Sequence, residues 1–509
     1  LTCHGLEAIA SWTPEERSAQ VAPETRPARG MAAGRTSRPA TRPELYISPL
    51  IPPGEAHANV LCTDCHPKAR TLPHPRVHAQ RAADVDTCRP CHDKSAPGNP
   101  REGAFGTYRL SYHGQASLLG SPSAPVCIDC HAAAGPDGRR STHGIVRLKE
   151  PAGPLAPDNR LATCRRCHAS AAAAFTQFQP HADPRNAAAF PLLHAVWRDF
   201  IIIMCLAIGF FGLHSLLWLL RAALDRLLGR RNPTTPADDP AILRFSLIQR
   251  LSHGLLILCF LGLTLTGLPL LYCRTPWARG LVDLIGGLRA AGLAHRAFAA
   301  TLIALVLVHL VGILCRILRH GPRNVLLGSQ GLLPRLKDLA DCLAMFRWFL
   351  TGREKPRFDR WAYWEKFDYL AALFGTFIVA ASGLLLWFPE FFSRFLPGEA
   401  FNVAKLVHGG EALLAIGFIF TVHFFNAHLR PDKFPVNDVI FTGLLPESQL
   451  LHERPAHYSH LTSSGQLPSL RRHPPGRALR VFAVLVAVIA MAIGIATIVL
   501  IVQAALGGS

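Results

Sequence analysis

Four copies of the pattern C-x-x-C-H stand in the first third of the chain: Cys62, Cys65 and His66; Cys88, Cys91 and His92; Cys127, Cys130 and His131; and Cys164, Cys167 and His168. Two thiols at this spacing can add to the two vinyl groups of one haem as thioethers, and the adjoining imidazole is then placed to ligate the iron. Paired C-x-x-C units also make tetrahedral zinc sites. The immediate His in all four copies favours covalent haem c. So does the setting, a region with no apolar period long enough to build an ordinary core, where a packed macrocycle would supply one. Leu1, Thr2, Cys3 and His4 read as the end of a fifth copy whose first Cys stands just upstream. The expectation is a longer protein, with a further haem and an export signal before residue 1.

An iron that only carries electrons keeps a second axial ligand. The histidines left over before residue 195 are His57, His74, His78, His113, His143, His181 and His194. His57, His113, His143 and His181 are the expected distal ligands. The last three stand in Tyr-His-Gly, Thr-His-Gly and Pro-His-Ala contexts. A plain surface imidazole is the alternative for each.

Nine of the 14 Cys and twelve of the 24 His precede residue 200. Eight of those nine Cys sit in the close pairs, which argues against a disulfide scaffold. The formal net charge is +19, yet only 17% of residues are charged and half are hydrophobic, which departs from ordinary soluble composition. The basic residues do not gather with aromatics on one soluble face, so a nucleic-acid partner is not expected.

After residue 195 come six apolar stretches, at about 199–220, 246–272, 295–318, 367–388, 405–428 and 480–503, each long enough for the roughly 20 helical residues that cross a bilayer. The loops 221–245, 319–366 and 429–479 hold 21 Lys and Arg, whereas the alternate loops 273–294 and 389–404 hold 4. Basic loops stay in the cytoplasm. The expected location is therefore the bacterial inner membrane, with the Cys- and His-rich region in the periplasm.

Ionisable residues inside apolar spans are costly, which makes them functional candidates. His253 stands in the second stretch, His295 and His309 in the third, and His408, His423 and His428 in the fifth. With helices alternating in direction, His295 and His408 fall at one depth, His253 and His423 at the other. The rise from His408 to His423 is about 22 Å of helix, with about 60° of rotation between them. Two pairs at two depths are what two stacked b haems require, each iron clamped between imidazoles of different helices. Histidines that only hydrogen-bond neighbouring helices are the alternative. His309, deeper on the same helix, is the rival of His295.

Arg250, Leu251, Ser252 and His253, followed by an apolar run to Thr266 and Gly267, resemble the first helix of the dihaem cytochrome b subunits of respiratory formate dehydrogenases and nickel-iron hydrogenases. Leu293, Ala294 and His295 resemble the start of the second helix, and Ser382 and Gly383 with Trp387, Phe388 and Pro389 resemble the end of the third. His408 with His423 resembles the fourth. The likeness covers about residues 244–445. That family sets its two fourth-helix histidines one residue closer, which keeps His428 as an alternative to His423. With the upstream region, the chain resembles the multihaem c and dihaem b quinone oxidoreductases of the inner membrane in metal-respiring bacteria. The stretches from His181 to Trp197 and from His423 to Pro435 share in that likeness. The resemblance implies two haem b, a menaquinone or ubiquinone pool, quinol oxidation in the membrane and electron delivery to periplasmic c-type cytochromes.

The expected fold is mainly α. A loop-rich multihaem cytochrome c domain over 1–195 precedes a first span over 196–222, a four-helix dihaem b domain over 223–445, a loop over 446–479 and a last span over 480–509. Glu411, one turn from His408, is the expected proton relay, with a hydrogen bond to a ligand histidine as the alternative. Asn426, His428 and Lys366 are the expected lining of a quinone site, and for Lys366 helix-end snorkelling serves as well. The competing function is a non-catalytic subunit that relays electrons from a periplasmic dehydrogenase or hydrogenase to quinone. His214, His452, His457, His460 and His473 suggest no site. Cys205, Cys259, Cys273, Cys315 and Cys342 read as small packed hydrophobes.

Overall fold

The computed structural model describes residues 81–93, 103–134, 140–148, 150–230 and 239–506. They divide into two compact units, one up to Thr176 and one from Gln177. The boundary falls earlier than expected from composition, because the segment before the first span is fastened to the second unit. Asn402 accepts from the Gln179 amide at 3.0 Å and donates to its carbonyl at 2.8 Å.

The first unit is built of short pieces. Helices α1 (Arg81–His92), α2 (Ala104–Tyr108), α3 (Tyr112–Leu118) and α4 (Cys127–His131) precede an antiparallel pair, β1 (Ala132–Ala134) with β2 (Arg140–Ile145), and α5 (Pro157–Arg165) follows. Local caps set the boundaries. Ser111 Oγ accepts from the Gly114 amide at 3.1 Å to start α3, and the Asp129 carboxylate accepts from the Val126 amide at 2.8 Å to start α4. Val85, Phe105, Tyr108 and Val126 form a small buried cluster. The composition predicts no ordinary core here, and this small cluster is what the described residues assemble.

In the second unit six helices are long and apolar enough to cross a membrane: α6 (Pro191–Leu227), α7 (Leu247–Leu271), α9 (Leu288–His320), α12 (Tyr363–Trp387), α13 (Glu399–Phe418 with its continuation to Leu429) and α16 (Arg477–Leu506). The chain is thus a mainly helical protein with multi-pass membrane character, its lipid-sized apolar faces exposed on the single chain. Shorter helices α8 (Pro276–Ile285), α10 (Pro322–Leu327) and α11 (Leu336–Thr351) lie between the spans, and α14 (Glu447–Glu453) and α15 (Pro455–Ser463) precede the last. Pro191 at the first position of α6 and the Ser246–Gln249 capping box of α7 start two of the spans.

Two hairpins, α7 with α9 and α12 with α13, form the centre. The first span is no bystander, since Phe211 of α6 packs on Phe418 of α13 at 5.4 Å between ring centroids. From the other side Ile498 and Ile501 of α16 pack against the Ile416 and Phe420 cluster. We call the end where α6 begins the near end of this unit, and the opposite one the far end.

The stretch expected as a loop over 446–479 is folded. Strand β3 (Ala241–Leu243) pairs antiparallel with β4 (Leu444–Pro446) on one side and β5 (Arg471–Arg472) on the other. Ile242, Val439, Leu445, Leu450, Leu461 and Leu467 make a separate buried cluster beneath them. Glu365 of α12 ties this far-end cap to the spans, accepting from Arg454 Nη2 at 2.8 Å with Arg244 at 3.8 Å.

Candidate metal centres

In α12 and α13 the deciding contacts are made by backbone and small residues. His408 Nδ1 lies 3.0 Å from the Val379 carbonyl oxygen, with Ser382 Oγ at 3.3 Å. A carbonyl only accepts, so Nδ1 carries the hydrogen and the Nε2 lone pair is left for a metal. The α7 and α9 hairpin repeats the arrangement. Thr266 Oγ1 donates to the Gly262 carbonyl at 2.7 Å and therefore accepts from His295 Nδ1 at 2.9 Å. Each imidazole also sits over a glycine. A Cβ on Gly267 would stand 3.0 Å from His295 Cε1, and one on Gly383 would stand 3.1 Å from His408 Cε1.

The two rings thus held have centroids 6.3 Å apart and planes at 66°. Two imidazoles on opposite sides of one iron, each bonded at about 2 Å, hold their centroids about 6 Å apart. The donor set, its tautomers and its spacing therefore fit a bis-histidine haem. His309, the alternative on α9, is exposed, and its Nε2 is taken by the Tyr369 hydroxyl at 2.8 Å.

Toward the far end, His253 of α7 stands within electrostatic reach of both His423 and His428. His423 Nδ1 donates to Asp368 Oδ2 at 3.3 Å, so its Nε2 is also left free. The Asp368 contact was not foreseen, although a carboxylate in an apolar span was a readable signal that its place near the start of α12 disguised.

The chain from Ile419 to His423, and again from Phe425 to Leu429, is π-helix. In a straight α-helix His423 would sit about 60° past the face of His408. Residues of a π turn advance by about 82° instead of 100°, so five of them take back about 90°. His423 thereby returns to within about 30° of the His408 face. The extra residue in the spacing and the π turn are one feature.

Beside this pair, Asn426 and His428 are 9% and 8% exposed, and both amide atoms of Asn426 and Nδ1 of His428 have no hydrogen-bond partner. Buried polar groups are normally satisfied, so these atoms are open to a ligand or water. Lys366 is taken up structurally, with Nζ donating to Asp338 Oδ2 at 2.8 Å. Glu411 is buried one turn inward of His408, against Gly375 of α12, where a Cβ would stand 2.5 Å from its Oε1. His214 of α6 is fully buried and reaches the Tyr363 hydroxyl at 2.6 Å inside an aromatic cage.

In the first unit, Cys88, Cys91 and His92 lie at the end of α1, Cys127, Cys130 and His131 make up α4, and Cys164 ends in α5 with Cys167 and His168 just beyond. All six thiols are free of disulfides. Burial, and then the neighbouring Cys164, pushes the Cys130 thiol up to about 11, so the third and fourth motifs lie side by side. Arg166 also donates to the Asp129 carbonyl between them.

His113 comes to 6.3 Å from His168, centroid to centroid, with planes at 36°. This is the bis-histidine distance again. Burial, and then His168, lowers the His113 pKa to about 4, which keeps a lone pair on a nitrogen at neutral pH. His143 lies on β2. His181 is exposed in the segment leading to α6, and belongs with the second unit. Cys3, His4, His57, Cys62, Cys65 and His66 lie outside the described residues.

Among the described residues no group of three or more His, Cys, Asp or Glu is arranged so that it could hold a metal ion. A bis-imidazole haem takes only two protein nitrogens and is not such a group. Compared with known proteins, the chain matches no family model and no curated protein.

Proposed function

We propose that the chain is a membrane quinol dehydrogenase of the bacterial inner membrane, oxidising menaquinol or ubiquinol and passing electrons to periplasmic c-type cytochromes. The observation that carries this reading is the His295 and His408 pair, 6.3 Å apart, each ring turned by a hydrogen bond at Nδ1 so that Nε2 is spare. The second pair, His253 with His423, belongs to the second haem b. The C-x-x-C-H motifs hold covalent haem c, with His113 the distal partner of His168. Bound haem supplies one-electron exchange at iron.

The rest is the work of side chains. Asn426 and the Nδ1 of His428 offer the donors and acceptors that a quinol head group with two oxygens needs. His428 Nδ1 is placed to take a hydroxyl proton. Glu411, buried one turn inward of His408, stands about 22 Å of helix from Asn426, too far to take a proton from that head group, and serves as the proton relay at the near end. The loops with 21 Lys and Arg, against 4 on the other side, support a cytoplasmic far end.

One portion of the purified protein is treated with alkaline pyridine, and a separate native portion with a menaquinol analogue. The expected result is both b and c haemochromes in the first, and reduction of the haem bands by the analogue alone in the second. Absence of haem, or reduction only when a periplasmic dehydrogenase is added, overturns the assignment, and the second outcome favours the relay subunit.

A further inference from the structure

Helix α11 (Leu336–Thr351) falls in a stretch that reads as a basic loop, but its contacts place it beside a span. The Phe346 ring lies 5.9 Å from that of Phe210, Phe349 lies 5.1 Å from His214 and Trp348 lies 5.8 Å from Trp218. These partners all belong to α6, and they lie well before its last residue, Leu227. Met345, Trp348 and Phe349 are buried in this contact.

The opposite face is apolar too. Leu336, Leu339, Leu343 and Leu350 are 89%, 62%, 64% and 75% exposed, at steps that keep one side of a helix. A helix apolar on both faces is not a water-facing element. On α6 itself, Leu213, Leu216 and Leu220, in the same stretch as the residues that contact α11, are exposed apolar side chains as well. The charges lie where headgroups would be. Lys337 pairs with Asp341 at 2.6 Å in the first turns, Lys355 follows the last turn, and exposed Arg347 has a stem long enough to snorkel.

We infer that α11 lies within the leaflet at the far end of the bundle, with its leucine face against lipid acyl chains. This rests on the six helices crossing a bilayer and on no cofactor, so it stands or falls apart from the redox reading.

A photoreactive benzoylphenylalanine is placed at Leu339, Leu343 or Leu350, with Val308 on the exposed face of α9 as the lipid control and Arg353 as the water control. Native membranes are irradiated and peptide adducts are read by mass spectrometry. Phospholipid adducts at the three leucines, matching Val308 and absent at Arg353, are expected. Lipid adducts at Val308 without any at the leucines overturn the inference, as do peptide adducts there, which would mean a protein partner. Three separate positions guard against one substitution that fails to assemble.

Discussion

A histidine is a useful axial ligand only when its other nitrogen is committed, and in this protein the commitment is made by neighbours that carry no chemistry of their own. If the proposed haem lies between His295 and His408, either His→Ala change should remove one of the two proposed b haems and leave the proposed c haems untouched, halving the b-to-c ratio in the haemochrome spectrum. Gly383→Val should do the same without touching a ligand, because its side chain would need the space of the His408 ring. Retention of both b haems in that variant would show that the ring has another place to go. Asp368→Asn should keep the haem but weaken the pull on the His423 hydrogen, raising one b midpoint potential in a redox titration and sparing the other. The histidines were legible because imidazoles are rare in apolar spans. The Val379 carbonyl was not, because every residue has one and only the packing of α12 on α13 selects it.

At the scale of elements, residue counting located all six spans but misjudged rotation and loops. The span positions follow from hydropathy alone, whereas the facing of His423 depends on a π turn that a fixed 100° per residue cannot show. Deleting exposed Thr421 from that turn should convert it to α-helix and keep His423 near the His408 face, so both b haems survive. Deleting Ala415, in the regular helix, should swing His423 by about 100° and lose the far haem. Equal haem content in the two deletions would refute the account.

The far-end cap was also hidden, since its three short strands come from segments far apart in sequence. His457 is buried in this cap, and burial followed by the Arg360 and Arg244 charges depresses its pKa to about 3. The unfolded chain, with an ordinary histidine near 6.5, binds the extra proton first. The cap should therefore be fully stable above about pH 6.5 and lose up to a few kcal/mol as pH falls toward 3. Hydrogen exchange over 447–463 across this range should show the loss. His457→Gln should flatten it.

For the whole molecule, the two proposed b sites stand at different depths, and that makes electron transfer between them sensitive to voltage. His408 and His423 are separated by about 20 Å along the axis, roughly two thirds of a hydrocarbon core about 30 Å thick. An elementary charge crossing the full membrane changes energy by about 2.3 kcal/mol per 100 mV, so an electron moving from the far haem to the near one should gain or lose about 1.5 kcal/mol. That is about tenfold in equilibrium per 100 mV. With the far end cytoplasmic and quinol oxidised beside Asn426 and His428, as proposed, an inside-negative potential pushes electrons from the far haem to the near one. In liposomes of defined orientation with potassium diffusion potentials, reduction of the near haem by a menaquinol analogue should rise with inside-negative potential and fall when the sign is reversed. Insensitivity to voltage would move the quinol site to the near end, beside His295 and His408, where no such depth has to be crossed. The opposite sign would invert the topology drawn from the loop charges, and with it the side to which electrons are delivered.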